Sequence, residues 1–340
     1  MHPAPCPIEP AAPAVGGRAV GPRADLAVLG LASLAVSTSG PMITALAAPA
    51  LAIAFWRNAF GACVTAAAIF TRRATRAELV GLTRRQIAVI VLAGVLLAAH
   101  FAFWTPSLRY TTVASATALV CTQPVWTALG TRLLGRSVSR LTWAGIGLSM
   151  LGVALVTWAD LAVSGRALTG DLMALFAGML AAAYTMAGEV ARRCVSTGVY
   201  TSLCYGTCAL VLLAAALMGR VRLTGYDAQT WLRLVALTVT AQLLGHTLFN
   251  RVVGRVGATV VATAILLEVP GAALIAAVFL GQTPPATVVP AAVLLLAGVL
   301  VVVRAENRRM VFAPLEAGSR SRSEAANTVQ VNHGTARTRR

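Results

Sequence analysis

Lysine is missing from this 340-residue chain, and acidic residues are scarce: the 28 basic side chains are all arginine, against 11 Asp and Glu. Charged residues make up only 11% of the chain, where a soluble domain carries about 25%. With 58% hydrophobic residues, the chain holds more apolar sequence than one water-facing core can absorb. Runs of roughly 20 apolar residues are what a bilayer requires. Also missing are the HExxH metal motif, the GxSxG nucleophile elbow and a Walker A loop. Their absence excludes the corresponding metalloprotease and hydrolase chemistries and a single-chain ATP-driven pump. The chain has four His and six Cys, scattered without zinc-like spacing, so no metal and no cofactor is expected. The cysteines are expected to be buried free thiols. No acidic cluster points to sodium.

The net charge of +17 raises the question of nucleic acid. The arginines, however, fall between apolar runs and in the tails, a pattern of membrane topology, so no nucleic-acid partner is expected. Ten apolar runs can be drawn, at roughly 24–46, 48–70, 87–107, 112–134, 141–159, 170–190, 198–218, 230–251, 257–280 and 284–304. They are too long and too uniformly apolar for the alternation of a membrane barrel. Short connections such as 281-GQTPP-285 make neighbouring helices antiparallel.

The chain repeats itself at an offset of 146 positions, and His100–Val156 falls on His246–Val302 without a gap. His100 meets His246, Phe103 meets Phe249, Arg109 meets Arg255 and Pro124 meets Pro270. Ala116-Thr117-Ala118 meets Ala262-Thr263-Ala264, and Asp25-Leu26 meets Asp171-Leu172. A duplication in an apolar chain marks a transporter built from two halves. With five spans per half, an odd number, the second half enters the membrane upside down relative to the first. The expected fold is thus an all-α polytopic membrane protein of ten transmembrane helices in two inverted five-helix repeats, at 24–159 and 160–304. Residues 1–23 and 305–340 are expected to be disordered cytoplasmic tails, the latter basic. With the N-terminus in the cytoplasm, inside loops hold twelve arginines (72, 73, 76, 84, 85, 132, 136, 140, 192, 193, 251 and 255). Outside loops hold five, at 109, 166, 220, 222 and 233. The positive-inside rule favours that orientation, with both termini cytoplasmic.

Four stretches carry a family resemblance: 54-AFWRNAFGA-62, 114-ASATALVCTQPVWTALGTRLLG-135, 258-ATVVATAILLEVPGAALIAAVFLG-281, and the pair 151-LGVALV-156 and 297-AGVLVVV-303. On them the chain resembles the EamA-type ten-helix members of the drug/metabolite transporter superfamily, over about 25–304. The resemblance implies a transporter in the inner or plasma membrane, a small-molecule substrate and contact with membrane lipids. Amino acids, purines, sugars, nucleotide-sugars and drugs are all carried by relatives. Members often carry a Glu just after the Gly that closes spans 4 and 9; here those positions are Arg136 and Gln282, so no role of that Glu carries over.

Few polar groups lie within the spans. Glu268 sits near the middle of span 9, where a charge costs about 2.5–3.5 kcal/mol on insertion scales. It reads either as a proton-titrating or substrate-contacting carboxylate, or as a structural carboxyl. Its repeat partner is Thr122. Arg57 could bind a carboxylate through its planar fork, neutralise Glu268, or snorkel to an interface. His100 and His246 are proton-relay or packing residues. Trp56, Trp104, Trp126, Phe103, Tyr184, Phe249 and Asn250 are cavity-lining or interfacial. Gln123 precedes Pro124, and Pro124 and Pro270 are expected to kink their helices at matched depths, where a gate is plausible. Small residues Ala114, Ser115, Ala118, Gly257, Ala258 and Ala262 are expected to allow close helix contact.

The expected function is a secondary transporter working as an exporter of a small polar, amino-acid-like metabolite by alternating access. Protons (H+) are the simplest coupling partner, and homo-oligomerisation stays open. The alternatives are an intramembrane lipid-modifying enzyme and a non-transporting membrane scaffold. Convergence of polar groups from both halves on one central cavity favours the transporter. Convergence at a lipid-facing surface favours the enzyme, and no cavity at all favours the scaffold.

Overall fold

A computed structural model describes residues 22–111, 113–157, 165–280, 287 and 289–308. The N-terminal tail expected at 1–23 falls outside them except for Pro22 and Arg23. Cys6, most of the connection between the halves, the turn with Gln282 and the tail beyond Arg308 also fall outside.

Among the described residues the chain is helical and contains no strand. The first half comprises α1 (Pro22–Val36), α2 (Ser39–Thr44), α3 (Ala50–Phe70), α4 (Arg73–Val80), α5 (Arg84–Ser107), α6 (Val113–Val120), α7 (Gln123–Leu133) and α8 (Arg140–Thr157). The second comprises α9 (Gly165–Arg192), α10 (Thr197–Met218), α11 (Ala228–Leu237), a π-helical stretch Thr238–His246, α12 (Thr247–Val256), α13 (Ala258–Ile265), α14 (Glu268–Leu280) and α15 (Val289–Arg308). Local sequence sets several boundaries. Thr83 begins α5 in a capping box with Gln86. Asp227 caps α11 by accepting from the Thr230 N–H at 2.6 Å. Gly257 separates α12 from α13 at φ +87°, a left-handed geometry suited to glycine.

Seven segments are long and apolar enough to cross a membrane by length and composition: Ala24–Thr44, Ala50–Phe70, Arg84–Ser107, Gly165–Arg192, Thr197–Met218, Ala228–Val256 and Val289–Arg308. The other three apolar runs, 112–134, 141–159 and 257–280, carry shorter or interrupted helices.

Two of those interruptions correct the expected kinks. Pro124 and Pro270 do not bend continuous helices; each opens a new one. α6 stops at Val120 and α7 starts at Gln123, while α13 stops at Ile265 and α14 starts at Glu268. A proline ring collides with the carbonyl four residues back and offers no N–H. For Pro124 and Pro270 those carbonyls belong to residues 120 and 266, where the breaks lie. In the first turn of a new helix the missing N–H costs nothing. The breaks are spanned by shorter i to i−3 bonds, Thr122 N–H to Leu119 O (3.2 Å) and Leu267 N–H to Ala264 O (3.1 Å).

The halves share one core. α9 lies along α5, α10 packs on α3 and α5, and α6, α7 and α12 rest on α9. Ser115, Ala118, Ala258 and Ala262 are all buried at these crossings; the Ala114 side chain lies outside the described residues. α15 continues past residue 304, where the C-terminal tail was expected to begin, because Glu306 accepts from the Thr142 hydroxyl of α8 at 2.8 Å. The cysteines are mixed. Cys121, Cys204 and Cys208 are buried free thiols, but Cys63 is exposed on α3 and Cys194 is disulfide-bonded.

Candidate functional site

A cavity lies among α5, α6, α7 and the α1–α2 junction on one side and α9, α12, α13 and α14 on the other. Its space open to the centre of a water molecule is about 50 Å³, room for a few waters. A metabolite therefore enters only if the wall moves. Val36, Leu97, Val120, Val253, Val261 and Ile265 make much of that wall apolar. Between them the cavity receives His100, Trp104, Gln123, Tyr184, His246, Asn250 and Glu268. Seven of the eight residues that the sequence singled out for substrate or coupling thus come together.

Glu268 is the first residue of α14, at the helix break, and is 5% exposed. Its carboxyl makes no hydrogen bond to another described residue. The break brings it to the wall, since a residue that opens a helix sits beside a gap in the backbone ladder. Its repeat partner Thr122 does the reverse. The Thr122 hydroxyl donates to Leu119 O at 2.7 Å and accepts from Trp126 Nε1 at 3.0 Å, knitting the α6–α7 break closed.

His100 lies 3.0 Å from Ala177 O through Nδ1. A carbonyl only accepts, so Nδ1 carries the proton and Nε2 of the neutral ring is left as an acceptor. The ring stacks on Trp104 at 6.0 Å and 10°. His246, its counterpart in the other half, ends the π-helical stretch and makes a T-shaped contact with Phe101, ring centres 5.7 Å apart. The Tyr184 hydroxyl donates to Asn250 Oδ1 at 2.9 Å and accepts from Asn250 Nδ2 at 2.8 Å. Gln123 donates to the Thr185 hydroxyl at 2.9 Å. α9 comes close enough for these bonds because Gly178 has no side chain: a Cβ there would stand 2.8 Å from Val120 O.

Arg57 is the exception. It is wholly buried, so it does not snorkel, and it forms no ion pair with Glu268. Its Nε donates to Gln242 Oε1 at 3.0 Å and its Nη1 to Ser39 Oγ at 3.1 Å, and the guanidinium lies 4.4 Å over the Phe101 ring. Gln242 Nε2 donates in turn to Asn58 Oδ1 at 3.0 Å, and Asn58 Nδ2 donates to Ala54 O at 2.9 Å. Ser39 and Phe101 both face the cavity, so the guanidinium stands one side chain behind its wall. Of the expected lining aromatics, Trp104, Tyr184 and Phe249 take their places. Trp56 instead packs on Trp231 and donates to Leu223 O at 2.7 Å. Trp126 is held by Thr122, and Phe103 pairs with Phe176.

Sequence reasoning passed over Ser39, Gln242 and Glu189. Glu189, on α9, is 7% exposed; its Oε2 accepts from the Ala258 N–H at 2.8 Å, the start of α13, where an anion favours the helix dipole. Its Oε1 meets Arg193 at 2.5 Å and Arg136 at 3.7 Å. Nearby, Arg192 donates to Asn250 O (2.8 Å) and to the Thr197 hydroxyl (2.6 Å), and Arg255 pairs with Asp25 at 2.7 Å. At this basic end these bonds join α9 to α12 and α13, and α12 to α1. At the opposite end, Arg109 donates to Leu46 O and Ala48 O, and Arg233 to Ala45 O. The i, i+4 spacing of Glu189 and Arg193 was readable, but as a surface pair. Gln242 stood as one amide in an apolar run. Among the described residues no three His, Cys, Asp or Glu come together in a metal-holding group.

The profile described as the EamA-like transporter family matches residues 24–158 and 168–304. An uncharacterized transporter of Archaeoglobus fulgidus is 25% identical over 250 residues, covering 73% of this chain and 85% of its own. A solved crystal structure of another protein has a TM-score of 0.69 at 17% identity, covering 84% of this chain and 98% of its own. At that identity the likeness is one of fold.

Proposed function

The chain belongs to the EamA-like transporter family and is an integral membrane protein with a small-molecule substrate; from that premise we propose that it is a secondary exporter of a small polar metabolite, working by alternating access. In this reading the ten apolar runs all cross the membrane as two inverted five-helix repeats, 24–159 and 160–304, with both termini in the cytoplasm. The two interrupted runs then span as broken helices, which membrane proteins tolerate where backbone lines a cavity, and α8 spans as one short helix. The membrane is the inner or plasma membrane, and the outward direction rests on the family resemblance.

The observation that carries the reading is the convergence of polar groups from both halves on one central cavity at the two matched helix breaks. Such breaks at a repeat interface are where transporter sites form. Convergence at the centre, rather than at a lipid-facing surface, favours transport over lipid chemistry. The bonds at the basic end and those of Arg109 and Arg233 opposite act as the two gates, opened alternately. Glu268 is the proton carrier: it is the one carboxyl at the cavity and has no hydrogen-bond partner among the described residues.

The test is efflux from proteoliposomes preloaded with a pooled set of labelled metabolites, beside protein-free vesicles. Selective loss of one compound class names the cargo. Retention of the whole pool by folded, reconstituted protein sinks the transporter reading and turns attention to lipid chemistry.

A further inference from the structure

Arg57 is a buried cation that makes no ion pair among the described residues. The three ion pairs among the described residues lie at the basic end and none includes it. Gln242, Ser39 and the Phe101 face are all neutral, and Nη2 has no hydrogen-bond partner among the described residues. A charge held in a low-dielectric interior without a directly bonded anion is costly, and a free N–H there adds to the cost. An arrangement of this kind is kept where the missing partner arrives from outside. The approach is short, since Ser39 and Phe101 are both guanidinium neighbours and cavity wall. A turn of the Phe101 ring, which His246 meets in a T-shaped contact, opens the way to Nη2.

We infer that Arg57 is the charge-recognition group of the cavity and that the cargo is an organic monocarboxylate with an apolar body, carried together with one proton. The inference rests on the transporter reading of the same cavity. The wall accounts for the apolar body, because Val36, Leu97, Val261 and Ile265 offer contact but no hydrogen bonds. The proton follows from charge balance. The empty site holds one guanidinium and one carboxyl, Glu268, and is neutral when Glu268 is ionised. A bound carboxylate takes over the guanidinium, and two carboxylates cannot share one cation in this setting without one of them protonating. Glu268 takes up the proton, so the loaded site is neutral again and proton and cargo leave together. A cationic cargo would need the reverse: attraction to Glu268 against the nearby guanidinium.

Titration calorimetry on the purified full-length protein tests this with three probes of one shape: 4-methylpentanoate, its amide and 4-methylpentan-1-amine. The carboxylate is expected to bind at least about tenfold more tightly than the amide, the scale of one buried charge-assisted bond. Binding should take up about one proton, read by comparing buffers of different ionisation enthalpy. E268Q should bind the carboxylate without proton uptake. R57Q should lose the preference for carboxylate over amide, and R57K should keep part of it. The wild-type comparison of the three probes stands even if R57Q fails to fold. Equal binding of carboxylate and amide overturns the inference. So does tighter binding of the amine that E268Q abolishes, or no binding of the carboxylate by protein that still exports some other compound. Those results leave the transporter reading intact; protein that moves no compound at all refutes that reading itself.

Discussion

Gln242 gives the most quantitative prediction. Its amide accepts from Arg57 Nε and donates to Asn58 Oδ1, both at 3.0 Å and both buried. Gln242→Leu keeps the bulk and removes both bonds. Interhelical side-chain bonds in membranes average about 0.6 kcal/mol, which sets a floor of about 1 kcal/mol for two. The Arg57 bond is charge-assisted, a class worth about 1.5–3 kcal/mol, and its loss leaves a guanidinium with Ser39 as its remaining acceptor. The expected loss is therefore about 2–4 kcal/mol, read by equilibrium unfolding in mixed detergent micelles. Gln242→Glu separates the two bonds. It keeps an acceptor for Arg57, indeed an anionic one, and removes the donor to Asn58. It should cost less than Gln242→Leu and should weaken carboxylate binding, since Arg57 then has its own counter-charge. A Gln242→Leu loss below about 1 kcal/mol, no more than two average membrane bonds, would refute the claim that this amide supports the buried charge.

At the basic end, Glu189→Gln keeps an acceptor for the Ala258 N–H but removes the charge facing Arg193, Arg136 and the α13 terminus. A partly buried dipole and ion-pair contribution of about 1 kcal/mol gives roughly fivefold faster amide exchange in the first turn of α13; unchanged exchange contradicts that role for the Glu189 charge. Asp227 is exposed, and its bond from the Thr230 N–H holds its carboxyl below the ordinary 3.8. A lowered folded value means that the cap is fully present above pH 3.8 and is lost as pH falls through that lower value. Exchange at the start of α11 should accelerate on acidification through that window in the wild type, while Asp227→Asn shows no such transition. An identical acid response in both removes the cap from the account.

The repeat made a good part of the architecture readable. Pro124 and Pro270 match at one offset, and the breaks beside them fall at corresponding positions of the two halves. Glu268 stood out because carboxyls are rare in apolar runs, and His100 and His246 because the repeat superposes them. What the pattern could not supply were partners set by tertiary packing. Arg57 was open to a substrate carboxylate, to Glu268 or to an interface, and it is Gln242 and Ser39 that hold it. Gln242 reaches it from the π-helical stretch, and Thr247, just past its end, bonds Gln242 O five residues back through its backbone N–H and, at 3.2 Å, its hydroxyl. A wide turn of that kind leaves no periodic trace in the sequence. Glu189 was hidden for a related reason: its second oxygen binds a backbone N–H 69 residues away, which no local spacing reports. Trp56 and Phe103 stayed open between cavity and interface because type alone cannot say which helix face is lipid-facing.

The central claim is that one cavity, with Glu268 as its proton-carrying group, moves the cargo. The most direct measurement is the initial efflux rate of the identified cargo from proteoliposomes as a function of pH, for wild type and Glu268→Gln side by side. The account predicts a pH-dependent rate in the wild type and a slower, pH-independent rate in the variant. A variant whose pH dependence matches the wild type would contradict it.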